Sequence, residues 1–205
     1  NVLFHDIYFK DTVTALRIKS KIGRGGVIED IWFRDIVVTG LRDKPAFWLD
    51  ALYASHTVQP AASDLTKFRN IHVENLASWG GVRSIEIGAY AEQPAENITL
   101  ENVFVSADLG LILENATGVT LKRVNILPNS GDGTDIDPVM TIINSRDVTI
   151  SGARVFEGSN LFLRVEGERS ARIQLHENDL SRAARQYTLG AGVPLTAVEL
   201  QSFPR

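Results

Sequence analysis

"IWFRDI", residues 31–36, is an apolar-x-apolar-x-Asp-apolar phrase, and it returns along the chain. The pattern reads "VLFHDI" from Val2, "IHVENL" from Ile71 and "ITLENV" from Ile98. Looser copies are "VTLKRV" from Val119, "VTISGA" from Val148 and "IQLHEN" from Ile173. The anchors Val2, Ile31, Ile71, Ile98, Val119, Val148 and Ile173 are 29, 40, 27, 21, 29 and 25 residues apart. Self-similarity at such a period marks a solenoid, whose units bury their apolar faces only against neighbouring units. Alternation within each phrase makes it a strand. A second alternating run falls inside most steps: "LRIK" at 16, "FWLD" at 47, "IEIG" at 85, "LILE" at 111, "MTII" at 140 and "LFLRV" at 161. Each repeat thus holds two or three short strands, and helical periodicity is almost absent. The pattern predicts an all-β parallel β-helix of about seven coils over residues 1–205, with the anchors stacked in its core. At roughly 4.8 Å per coil the rod is on the order of 34 Å long. A β-sandwich also uses many short strands with turn signals, but it would not hold one register through four copies.

Asp6, Asp35, Asn75 and Asn102 each fall four residues after an anchor. Asn and Asp tolerate the left-handed conformation and bond their own backbone in turns, so this column reads as an asparagine ladder at a corner of the coil. The long step carries the polar insertion "DALYASHTVQPAASDLTK", residues 50–67, and the step after Val119 carries "PNSGDGTDID", residues 128–137. Near the end "NDLSRAARQYTLGAGVPLTAV" loses the pattern. Asp179 or Ser181 is placed to cap a short helix through Arg185, and the segment from about 179 to 205 reads as a cap over the last coil.

The 205 residues carry 21 Lys and Arg against 25 Asp and Glu, a net charge of -4. No basic excess points to nucleic acid, and no polybasic cluster points to a membrane surface. The absence of cysteine removes disulfides, thiolate metal sites and a cysteine nucleophile. His5, His56, His72 and His176 lack metal-ligand spacing. Asp132, Asp135 and Asp137 offer the oxygen ligands that a hard cation accepts, but without the spacing and terminal Glu of a helix-loop-helix calcium site. The loop reads as acidic rather than metal-binding.

One local feature departs from this balance. In "ALRIKSKIGRGG", residues 15–26, Arg17 and Lys19 share one face of a strand while Leu16 and Ile18 face the core. Their separation is roughly 7 Å. Such a pair is either a solvated strand face or two grips on one carboxylated sugar, Arg as a fork and Lys as a point charge. Gly25 and Gly26 let the turn bring its backbone close to a ligand. Asp50, Glu86 and Glu114 sit on the outer face of their own strands and offer carboxylates of the kind that could form a pair.

"ALRIKSKIGRGGVIEDIWFRDIVV" resembles the Arg-Ile-Lys region of family 28 glycoside hydrolases, the polygalacturonases. "KPAFWLDALY" and the "NITLENV" phrases resemble the stretch beyond that region in bacterial members, up to "SARIQLHENDLS". The resemblance implies a right-handed parallel β-helix, and substrate binding by Arg17 and Lys19, which in the family hold the galacturonate carboxylate beside the scissile bond. Tyr53 matches a tyrosine that lines the same cleft, with a loop aromatic packed on the coil as its plainer role. Arg24 is a further substrate-binding candidate. The family's Asn-Thr-Asp, Asp-Asp and Gly-His-Gly catalytic motifs do not occur in these residues. Inverting hydrolysis needs an acid and a base carboxylate roughly 6.5–9.5 Å apart. The chain is therefore expected to be the C-terminal part of a pectin-degrading polygalacturonase, with no catalytic residue of its own and no metal or cofactor.

An acidic polysaccharide or oligogalacturonide is the implied partner, in an extracellular or periplasmic bacterial setting. A non-catalytic β-helix that binds acidic polysaccharide or serves as a scaffold is the alternative. A calcium-dependent pectate lyase is another, since it too is a parallel β-helix. If no coil precedes residue 1, Val2, Phe4 and Ile7 are uncovered and end-to-end self-association is expected.

Overall fold

The computed structural model describes residues 1–53, 64–129 and 138–201. The anchor phrases form one parallel sheet of eight strands: β1 (Val2–Lys10), β3 (Val27–Leu41), β5 (Lys67–Gly80), β7 (Ala95–Ala107), β9 (Ala116–Pro128), β11 (Arg146–Ser151), β13 (Ala171–His176) and β15 (Val198–Gln201). The second runs form a parallel sheet of seven: β2 (Leu16–Lys19), β4 (Phe47–Asp50), β6 (Ile85–Gly88), β8 (Leu111–Glu114), β10 (Met140–Ile143), β12 (Leu161–Glu166) and β14 (Arg185–Leu189). Strands alternate between the sheets in chain order, and each pairs with the strand one coil away. This is a right-handed parallel β-helix, the hand that parallel crossover connections take.

Register follows the sequence anchors. Val2 pairs with Ile31, Ile31 with Ile71, Ile71 with Ile98, Ile98 with Val119, Val119 with Val148, and Val148 with Ile173. Ile173 then pairs with Val198, an anchor outside the sequence repeat. A one-residue slip would turn every apolar side chain outward, so burial of one face fixes the register. Ile71, Ile98, Val119, Val148 and Ile173 are buried in one continuous core that also holds Phe47, Leu49, Ile85, Ile87, Leu113 and Ile142 from the second sheet.

The first five strands of the first sheet are longer than the short segments read from sequence, up to 15 residues in β3. They stay paired through corners because single left-handed residues bend the chain without ending the ladder. Asp6, Asp35, Asn75 and Asn102 all have φ near +55°. The Asn75 amide donates to Asp35 at 2.7 Å and the Asn102 amide to Asn75 at 3.0 Å, so the expected ladder is present. A second ladder lies one residue before the anchors, where Asn97 donates to Asn70 at 2.7 Å and Asn70 to Asp30 at 3.1 Å, all three again left-handed.

The expected helix through Arg185 does not form. Asp179 instead accepts from the Ser181 hydroxyl at 2.6 Å and the Ser181 N–H at 3.3 Å, closing a turn. The chain then enters β14, where Tyr187 and Leu189 pair with Leu163 and Val165. A helix of about one turn cannot overcome its nucleation cost, whereas an available strand edge supplies a partner for each backbone group.

Candidate functional site

Alternation in β2 buries Leu16 and Ile18 and turns Arg17 and Lys19 outward. In-register pairing then builds two rows across the second sheet. Arg17 aligns with Trp48 and Trp48 with Glu86; Lys19 aligns with Asp50, Asp50 with Gly88, and Gly88 with Glu114.

The Arg17 guanidinium lies 3.7 Å from the centre of the Trp48 ring and 5.1 Å from that of Tyr53. The Lys19 ammonium lies 4.1 Å from the Tyr53 ring and that of Lys44 5.4 Å from Trp48. Aromatic faces attract cations within about 6 Å, so the two rings hold three positive groups over one patch. Arg17 also donates from Nη2 to Asp50 Oδ2 at 2.7 Å. The Arg17 side chain is one-fifth exposed and that of Asp50 one-tenth. This is a nearly buried ion pair, and the Arg17 Nε is buried without a partner among the described residues. Lys19 and Tyr53 remain exposed.

Glu86 completes the patch. It lies 3.6 Å from Arg83 and accepts from the Trp48 indole N–H. Burial pushes its carboxyl pKa above the ordinary value; the nearby Arg83 opposes the shift and the Asp50 charge adds to it. Asp50 and Glu86 are thus each held by an arginine. Glu114 stands two strands beyond Asp50, with only Gly88 between them in the row.

Arg17, Lys19 and Tyr53, separated in sequence, therefore meet. Arg24 does not join them: it is exposed in a turn, and among the described residues its side chain bonds to none of the three. Gly25 and Gly26, both left-handed, tie that turn to the next coil, the Gly25 N–H donating to the Asp64 carbonyl at 3.1 Å and the Gly26 carbonyl accepting from Lys67 at 3.0 Å. Trp48 and Lys44 belong to the site and are missed from the sequence. The alternation in "FWLD" turns Trp48 outward, but only register sets it between Arg17 and Glu86. Asp132, Asp135 and Asp137 lie outside the described residues, among which no group of His, Asp and Glu is placed to hold a metal ion.

Comparison with known proteins agrees with the fold. The model of the glycosyl hydrolases family 28 matches residues 1–110. The chain belongs to this family. A curated relative, a probable polygalacturonase of Vitis vinifera, is 25% identical over 141 residues, covering 64% of this chain and 28% of its own length. The chain thus spans less than a third of that relative. No solved structure gives a significant match.

Proposed function

We propose that this chain is the C-terminal, substrate-gripping part of a polygalacturonase-type hydrolase that acts on the α-1,4 galacturonide links of pectin outside the cell. The observation that carries the reading is the Arg17, Lys19, Tyr53 and Trp48 patch on a family 28 β-helix. A uronate carboxylate differs from a neutral sugar by one charge and two coplanar acceptors. Lys19 offers an exposed point charge, and Arg17 a fork whose plane is fixed by Trp48 beneath it and Asp50 beside it. A guanidinium already locked in place loses little freedom on binding. Tyr53 gives the ring an apolar wall next to both cations.

The cutting carboxylates are assigned to coils that precede these residues in the complete enzyme. Val2, Leu3 and Phe4 are exposed at the first coil, with Phe4 stacked on Phe33 at 5.2 Å. This is an apolar cross-section of the kind that a further coil covers. The chain alone is expected to hold oligogalacturonate without cleaving it.

Reducing-end release from polygalacturonate and binding of a trigalacturonate are measured on the chain and on an Arg17→Ala, Lys19→Ala double variant. Binding lost in the variant, with no cleavage by either protein, supports the reading. Cleavage by the parent chain that the variant loses would place the catalytic carboxylates inside these residues. Binding unchanged in the variant would overturn the grip.

A further inference from the structure

At the corner where the second sheet returns to the first, a cavity of about 290 Å³ is lined by three guanidinium groups, Arg146, Arg169 and Arg172, with Asn115, Asn144 and Thr117. Among the described residues, no carboxylate lines it. We infer that this cavity is a second uronate-binding site, which takes the carboxylate of another unit of the same acidic glycan that Arg17 and Lys19 hold.

Its arginines are placed by the solenoid. The residue before each anchor from Ile31 to Ile173 is a left-handed corner, occupied by Asp147 and Arg172 in adjacent coils. Stacking brings them together, and Arg172 grips Asp147 through Nε at 2.5 Å and Nη2 at 2.7 Å. That contact holds the Asp147 carboxyl below its ordinary pKa. Arg146 aligns with Thr117 on one side and Ala171 on the other, small residues that leave its side chain room. Arg169 donates from Nη2 to Asn115 Oδ1 at 3.1 Å, and the buried Asn115 is itself anchored by donating to the Ala89 carbonyl at 2.9 Å. Two guanidinium groups are thus fixed by neighbours, and Arg146 is bound to no side chain among the described residues. With Asp147 offsetting one charge, three arginines leave a local excess of two in a chain whose net charge is -4.

Fixed arginines around a concave site suit a planar oxyanion. The volume is at the lower end of ligand cavities, which run from about 300 Å³, and it suits a single sugar unit rather than a folded chain. The corner is also the one from which Tyr53 projects after β4. From the β2 row to the β10 row is four strand spacings, roughly 19 Å along the rod. A glycan lying along this edge reaches both sites, and joining two weak sites on one ligand raises affinity without any new contact. The inference rests on the proposed uronate grip at Arg17 and Lys19.

The test uses the full chain and an Arg146→Gln variant, which removes a charge that bonds no described side chain, together with Arg17→Ala, Lys19→Ala. Calorimetry is run with trigalacturonate, a long oligogalacturonate, a neutral galactose oligomer and inorganic phosphate. The expected result is about a fivefold to tenfold loss of affinity for the long oligomer in Arg146→Gln, with trigalacturonate binding at the first site unchanged and the neutral oligomer unbound. If the long oligomer depends on Arg17 and Lys19 but not on Arg146, the second site is wrong and the first stands. If neither variant changes oligomer binding, both fail. If phosphate displaces the oligomer with the same dependence on Arg146, the site takes oxyanions in general and the uronate assignment is overturned.

Discussion

Replacing Asp50 by alanine removes the carboxylate that holds Arg17 and leaves a guanidinium four-fifths buried with its Nε already without a partner among the described residues. Breaking a fully buried ion pair from one side costs about 3–5 kcal/mol. The exposure of Arg17 admits some water and reduces this to about 2–3 kcal/mol. For a chain of this size the melting temperature then falls by roughly 4–12 °C. Arg17→Met alone has a related cost, because it strands the Asp50 carboxylate. The double variant Asp50→Ala, Arg17→Met removes both charges and is expected to recover much of the loss, a coupling of about 2 kcal/mol. Urea unfolding followed by tryptophan fluorescence on all four proteins measures the cycle, with equal m-values as the check that the same unit unfolds. Additive effects of the two single changes would mean that the 2.7 Å contact contributes nothing specific. The preorganised grip would then lose its physical basis.

The asparagine ladder gives a second test: Asn75→Ala loses bonds to Asp35 and Asn102 and puts alanine, which lacks the side-chain amide that lets asparagine tolerate the left-handed region, at that corner, so a loss of about 2–3 kcal/mol is expected, whereas Asn75→Gly keeps the corner and loses about half of that. The pH dependence of stability tests Glu86. Its folded-state pKa is raised by burial, so its contribution is full below the unfolded value near 4.5 and is lost as pH rises through the folded value; Glu86→Gln is expected to flatten that part of the urea midpoint against pH. His72, stacked on Trp32 at 4.7 Å, has a pKa lowered by burial, so its contribution is present above about 6.5 and is lost as pH falls through the folded value; a His72→Gln variant should show no such loss in the same titration. Sedimentation of the chain should show concentration-dependent association through the exposed Phe4 face, and Phe4→Glu should abolish it.

The solenoid is legible in the sequence alone, because a β-helix repeats its coil and so repeats its text. Seven anchors marked by alternation, the first four also by Asn or Asp at a fixed offset, are consecutive partners in one ladder, since one-sided burial permits one register. The outward face of "LRIK" is legible for the same reason. Which side chains of different coils touch is not. Trp48 lies 31 positions after Arg17 and Glu86 lies 38 after Trp48, and coil lengths vary with their insertions, so no fixed period predicts that these three share a row. The second column of left-handed residues is hidden in the sequence because Asp30, Asn70, Asn97, Gly118, Asp147 and Arg172 share a backbone conformation rather than a residue type. The Asp50 bond to Arg17 and the arginine cluster four strands along belong to the same class. Stacking brings together groups that are a coil or more apart in the chain, and the lengths of the folded coils decide which of them meet.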